Sequence, residues 1–519
     1  MAAIITDQLR ISLANSFIRS VDNEENYYYA FIGLPNSSDY DSNWDRVPLS
    51  PIDSFDNQND IWDTILALKR INSEDVVNVI RKIVWSSGNV YDMYRHDISR
   101  NNPTNVTKQT SLYFSNFYVM NRDYRVYICL SNGTSPEYPN GKTSLEEPLF
   151  TDLEPVETSD GYVWKYLYTI APNDILKFES IHYIPVPKYW ESTNEEMYLN
   201  SNSSGQLKIV LIKDRGSNLG PANSYPDVDI LGDGVGAKAT VTVGNDSKIE
   251  SVYITDGGSG YSHGKVDLET SGIIFGANST LPELDVIIPP KGGHGNNIYR
   301  ELGAHNVLIY ARIENNQEDP DFTIGNKISR IGLIENPLTP NDSLLTKNSA
   351  CSTYSLKLIG INSITDYETA VFDANAIIQQ TIGVGATAYG KVVSYDNTTG
   401  VLKYWKDRTL SGFDTGTYNQ VDSIYGNNVY EFTSTPSDDG NLVIQGGSIN
   451  LQIDASFTGI STTSSINSNE EYNLGQTFED GIALPEVKKY SGDILYIDNR
   501  PSITRSSNQK EDIKIVLQF

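Results

Sequence analysis

Apolar positions along this chain follow two periods, and the change from one to the other organises it. Before residue 90 they recur at helical spacing. Thr6 or Asp7 can cap a helix carrying Leu9, Leu13 and Phe17 on one face, and Ile61, Ile65 and Leu68 repeat the interval. Ser73 is a favourable N-cap, Glu74 and Asp75 suit the positive end of a helix dipole, and Val76, Val77, Ile80, Ile83 and Val84 form a wide apolar stripe. These signals predict two short helices meeting at Ile71 and Asn72, an αα-hairpin laid on a sheet.

From about residue 110 the period shortens to two. Segments 112–120, 124–130, 162–170 and 181–186 are rich in Tyr, Val and Ile and are parted by Asn, Gly and Pro, the pattern of strands joined by turns. Segment 162–170 is aromatic on both faces, Trp164 and Tyr166 included, which predicts a central strand covered on each side. Pro172 then opens one helical turn reaching Phe178. Strand alternation resumes at 306–313, 330–337, 353–361, 390–395 and 401–405, whereas 434–475 is turn-rich and reads as a long loop or an array of hairpins. Near the end, Ile513, Ile515, Leu517 and Phe519 alternate with Asp512, Lys514 and Gln518, which predicts a strand with one buried face, locked into a core or a partner.

Glycine and asparagine mark the joints. An Asn- and Ser-rich patch at 192–205 reads as a boundary. Beyond it the run from Val210 to Ser217 returns 42 residues later as Val252 to Ser259, with a glycine turn between the copies that is echoed at 383–386. Two copies are too few for a solenoid, so an inserted small β-sandwich or barrel is expected. The resulting division is an N-terminal α+β domain 1–200, an inserted β-module 201–291, a β domain 292–380, a β-rich insert 381–470, and C-terminal strands 471–519 that close the core. The fold class expected is mostly β (α+β), with a helical N-terminal portion packed on antiparallel β-sandwich domains.

Composition narrows the partners. The 519 residues carry 66 Asp plus Glu against 39 Lys plus Arg, a net charge of −27, which repels phosphate backbones and excludes nucleic acid as the expected partner. Cys129 and Cys351 are too few for a disulfide framework. The start of the chain lacks the basic and apolar regions of a signal peptide, and no apolar run is long enough to span a bilayer, so cytoplasmic synthesis without membrane insertion is expected. The 33 tyrosines suit half-buried β faces and protein interfaces, and sugar-binding surfaces use them too.

Candidate chemistry is thin. His96, His182, His263, His294 and His305 include no pair at the spacing of a helical metal site. His294 stands out because Gly292, Gly293 and Gly295 permit close backbone approach around it; the loop could cradle an anion or a main-chain partner, and a glycine turn with a solvent-facing or hydrogen-bonded histidine explains the same letters. Asp227, Asp229 and Asp233 invite a calcium loop, but Leu231 stands where a third oxygen ligand belongs, so a polar turn is expected. Neither a nucleophile elbow nor a phosphate-binding glycine loop occurs; no catalytic residue, cofactor, metal or small-molecule substrate is expected.

Four segments carry a family resemblance: 61–71 (IWDTILALKRI), 160–170 (DGYVWKYLYTI), Gly292-Gly-His-Gly295 followed by Glu301-Leu-Gly303, and 492–519 (GDILYIDNRPSITRSSNQKEDIKIVLQF). In this order they resemble the dimeric baseplate wedge subunits of T-even-type contractile-tailed phages, in a long, cyanophage-like form with extra β-rich material near 201–290 and 380–465. The resemblance implies a non-enzymatic structural protein of the virion tail baseplate, assembled in the host cytoplasm as a homodimer with other wedge subunits and transmitting the rearrangement that fires the sheath. It marks Gly292, Gly293, His294, Gly295, Trp164, Tyr166, Ile513, Ile515, Leu517 and Phe519 as candidate structural or interface residues. A host-surface glycan- or receptor-binding tail protein is the alternative, and a tail-associated depolymerase the third reading.

Overall fold

The computed structural model describes residues 3–35, 47–193, 205–314, 326–360, 372–384, 386–397, 399–407, 420–422, 428–436, 440–444, 450–464, 471–506 and 509–519. The chain is mostly β, and every described pairing between strands is antiparallel. It divides into two compact units, Met1–Ile18 with Val76–Ile309 and Ile515–Phe519, and Arg19–Asp75 with Tyr310–Lys514. The units do not follow linear segments of the sequence, because strand Tyr28–Gly33 pairs with Lys327–Glu335, some 300 residues downstream.

The first unit is built on two four-stranded sheets and a small module. In one sheet, Val163–Thr169 lies between Arg125–Ser131 and Val156–Glu157, with Tyr118–Met120 at the far edge. The inner position expected for this aromatic strand is the one it takes: Trp164, Leu167 and Tyr168 are buried. Trp164 stacks on Tyr162 at 5.3 Å between ring centres and meets Tyr91 edge-on at 5.8 Å, while half-buried Tyr166 leans on Tyr127 and shares a hydrogen bond with Thr169 Oγ1. Helix Pro172–Phe178 follows as proline at its start requires. In the other sheet, Val76–Arg81 pairs with Asn306–Ile309 on one side and with Tyr183–Pro185 on the other.

Residues 207–288 form the module, whose own core includes Val228, Ala239, Val241, Ile249 and Val266 beneath the sheet order Ile249–Ser259, Val235–Val243, Asn223–Gly232, Gly264–Val266. Its base is the antiparallel pair Ile209–Asp214 and Glu283–Ile287. Alternation along these strands sends Val210 and Val286 into the module core and Leu211 and Ile287 into the larger core around Trp164, so the hairpin that leads into the insert is shared by both. The polar turn expected of the aspartate run holds for Asp233 alone, which accepts from Ser262 N and Oγ and from His263 N; Asp227 and Asp229 lie on strand Asn223–Gly232, where Asp229 pairs with Lys238 of the neighbouring strand.

The second unit contains a five-stranded sheet in the order Ser349–Cys351, Ile65–Ile71, Tyr28–Gly33, Lys327–Glu335, Asp493–Thr504. Tyr29, Phe31, Ile61, Trp62, Leu68 and Ile334 form its core. A seven-stranded sheet, with Tyr354–Gly360 among its inner strands, carries a separate core of Leu356, Leu358, Val392, Leu402 and Tyr404. Gly332 pairs opposite Phe31; a Cβ there would lie 2.1 Å from Phe31 Cζ and 2.5 Å from the Tyr496 carbonyl oxygen. Gly332→Ala is therefore expected to destabilise this unit by about 1–3 kcal/mol, read as a lower urea midpoint.

Three helical expectations are corrected. Helix Asp7–Asp22 forms, but it buries Ile11, Ala14, Ile18 and Val21 and leaves Leu9 and Leu13 exposed. Ile65 and Leu68 lie on strand Ile65–Ile71, after a helix, Phe55–Thr64, that Ser54 caps through its hydroxyl. Ser73–Asp75 is a single 3₁₀ turn, and Val76, Val77 and Ile80 lie on a strand, so the αα-hairpin does not exist. Within 112–120 a 3₁₀ turn, Leu112–Phe114, precedes the short strand. Of 434–475, the described part holds Leu442–Ile444, Leu451–Ile453, Ile460–Ser464 and the start of Glu471–Phe478, the hairpin array expected. Most of the 192–205 boundary lies outside the described residues.

Candidate functional site

The glycine loop around His294 folds onto a five-residue helix, Ile298–Leu302. Asn297 starts the helix by accepting the Arg300 N–H at its side-chain oxygen, and Gly303 ends it in the left-handed region at φ 69°. A side chain at Gly303 would put its Cβ 2.4 Å from the Tyr113 ring, and one at Gly292, φ 93°, would put it 2.3 Å from Asn296 Oδ1. Glycine is thus required at both ends of the loop-helix unit.

These turns carry His294 back against the helix. Its Nδ1 lies 2.6 Å from Glu301 Oε1, and Glu301 Oε2 accepts the Gly295 N–H at 2.7 Å. The Gly295 carbonyl accepts from Trp190 Nε1 at 2.8 Å, and the Tyr94 ring meets the imidazole edge-on at 4.7 Å. Both members of the pair are buried, Glu301 almost completely at 2 % exposure. Tyr299 donates to the Pro187 carbonyl and Tyr113 to that of Arg300, which bolts the helix to the segments before and after the central strand. Burial, with the Glu301 charge adding to it, pushes the Tyr94 phenol well up, and burial lowers the Lys165 ammonium. Each Glu301 oxygen already holds a donor, so the arrangement orients and compensates; it is a staple. His294 is thereby the hydrogen-bonded, not the solvent-facing, histidine of a glycine turn.

The carboxyl-terminal strand Lys510–Gln518 flanks Asn306–Glu314. Ile513 and Ile515 are buried as the alternation requires, whereas Leu517 and Phe519 are half-buried. In the first unit, Phe519 N–H donates to the His305 carbonyl at 3.3 Å and its ring packs on Phe17 at 5.9 Å. In the second, Asp512 accepts both Nε and Nη2 of Arg312 and the Tyr310 hydroxyl, and the Arg312 bond holds its carboxyl below the usual range.

The sequence reading missed Glu301, Trp190 and Tyr94, which give His294 its setting. Glu301 lies seven residues after the histidine, on the short helix that follows the loop, and was visible as part of the motif; Trp190, some hundred residues upstream, carries no local signal. It also missed Lys489, whose Nζ closes the end of helix Phe55–Thr64 by donating to the Trp62 and Asp63 carbonyls and whose ammonium burial lowers to about 8. Among the described residues no group of three or more His, Cys, Asp or Glu side chains is placed to hold a metal ion, and no described helix is long and apolar enough to cross a membrane. No protein-family model and no curated protein matches this chain.

Burial holds His305, and likewise His96, below the ordinary value of 6.5. The unfolded chain therefore takes up these protons first as pH falls, so stability is complete above about pH 6.5 and declines below it. Urea midpoints are expected to be lower at pH 5.5 than at pH 7.5, with His305, at 6 % exposure, contributing more than the exposed His96.

Proposed function

We propose that this protein is a structural subunit of a contractile-tail baseplate wedge, acting through shape and interface burial, as a homodimer that binds other wedge subunits. The observation that carries the reading is where the four resembling segments go. Ile61 and Trp62 lie in the core of the five-stranded sheet, Trp164 in the core of the first unit, His294 and Glu301 in the buried staple, and Ile513 and Ile515 in the closing strand. The residues that carry the likeness are spent on burial and locking, which suits a scaffold. Strand Tyr28–Gly33, buried at all six positions, supports the finer reading of its sheet as one layer of a sandwich.

The test is fractionation of contractile tails from the source of this sequence, with the polypeptide followed by mass spectrometry and then located in baseplate density. Co-migration with baseplates through disassembly and reassembly is expected. Recovery in the soluble fraction alone overturns the reading, and retention on a glycan array would favour the receptor-binding alternative. Light scattering at micromolar concentration should give a dimer, whose interface is expected to reach about 1,600 Å² in total.

A further inference from the structure

We propose that Asn140 is a site of spontaneous backbone modification, in which the Gly141 nitrogen attacks the Asn140 side-chain amide, and that the fold promotes this reaction at Asn140 while blocking it at Asn132. Asn132-Gly133 and Asn140-Gly141 are the two Asn-Gly pairs of the chain, both in the loop that follows strand Arg125–Ser131. Glycine presents the least hindered backbone nitrogen. At position 141 the fold demands it, because the backbone sits at φ 85° and a Cβ there would lie 2.6 Å from Asn132 Nδ2.

The two amides meet different surroundings. Asn132 is fully buried; its Nδ2 donates to the Tyr91 carbonyl and its Oδ1 accepts from both N and Oγ1 of Thr134. Those bonds fix the side chain and keep water from it. Asn140 is exposed, and its Oδ1 accepts from the Lys108 ammonium at 3.2 Å, which also donates to the Asn105 carbonyl. The oxygen that turns negative during attack already holds a cationic donor. Against the attack stands one backbone bond, from the Gly141 N–H to the Tyr138 carbonyl at 2.8 Å, in an exposed turn of the kind that opens at little cost.

The chemistry needs no reagent beyond water and its hydroxide. The Gly141 nitrogen gives up its proton to hydroxide and bonds to Asn140 Cγ; the Cγ–Nδ2 bond breaks, and Nδ2 leaves with a proton from water as ammonia. A five-membered succinimide remains. Water then opens it at one carbonyl or the other, leaving aspartate or isoaspartate at position 140. Either product places a carboxylate beside Lys108, so the neutral hydrogen-bond acceptor becomes one half of an ion pair.

The test is incubation of the full, folded chain in mildly alkaline buffer, with peptide mass spectrometry following amide-to-acid conversion at both pairs and a parallel sample held in urea. In the folded chain Asn140 should convert while Asn132 stays intact; in urea the two should convert at comparable rates. Lys108→Met should slow conversion at Asn140 about threefold, the worth of one solvent-exposed charged contact, and Lys108→Arg, which keeps a cationic donor, should restore most of the rate. Equal conversion of both pairs in the folded chain, or an intact Asn140 after both have converted in urea, overturns the proposal. So does a Lys108→Met chain that converts as fast as the unmodified one, and a preference for Asn140 that persists in urea would trace the difference to local sequence and remove the fold from it. The comparison of the two pairs uses the unmodified chain alone, so it decides even if a Lys108 variant does not fold.

Discussion

Removal of Ile513 to Phe519 is expected to abolish cooperative folding of the chain. Ile513 and Ile515 are 7 % and 3 % exposed, and each fully buried side chain of this kind is worth about 1.5–3 kcal/mol. Their loss alone reaches about 3–6 kcal/mol, against the 5–15 kcal/mol that typically holds a folded protein together. Leu517 and Phe519, both half-buried, add to it, and strand Asn306–Glu314 is left with an open edge that invites association. The truncated chain should therefore aggregate on expression or lose its unfolding transition by circular dichroism, whereas Lys514→Gln on the same strand should shift stability by no more than about 0.5 kcal/mol. A soluble truncation with an unaltered transition would show the strand to be dispensable.

Glu301→Ala is the second large effect, expected at about 3–5 kcal/mol. The substitution strips the partner from His294 Nδ1 and from the Gly295 N–H together, at a site with 2 % exposure where water does not readily replace the carboxylate. The Trp190 bond to the Gly295 carbonyl depends on the same loop geometry, so the damage should spread to the packing of Trp190 against Tyr168. Urea unfolding monitored by tryptophan fluorescence measures it. Glu301→Gln, which keeps one acceptor for the pair, should recover part of the loss; equal stability of Glu301→Ala and the unmodified chain would remove the staple from the account.

Local chemistry made a good deal of this legible. Proline at 172, the glycines flanking His294 and the alternation at 512–519 each act within a few residues, and each forms what its chemistry demands. The stretch from Val76 misled because a strand buried on both faces is apolar nearly throughout, so its residues also fall at helical intervals. Pairing with Asn306–Ile309 and Tyr183–Pro185 settles it as a strand, and those partners lie far off in sequence. Helix Asp7–Asp22 has apolar residues on more than one side, and the period alone does not say which side meets a core.

The sequence by itself determined the mostly β character, the turns, the glycine loop and the alternating closing strand, because backbone sterics and side-chain period operate over a handful of residues. Only the tertiary structure decided that Glu301 and Trp190 fix His294, that Leu211 and Ile287 share the module's base with the larger core, and that residues 19–75 join 310–514 in one unit. Those outcomes depend on which distant surfaces exclude water from one another, a property of the assembled chain that no local window contains.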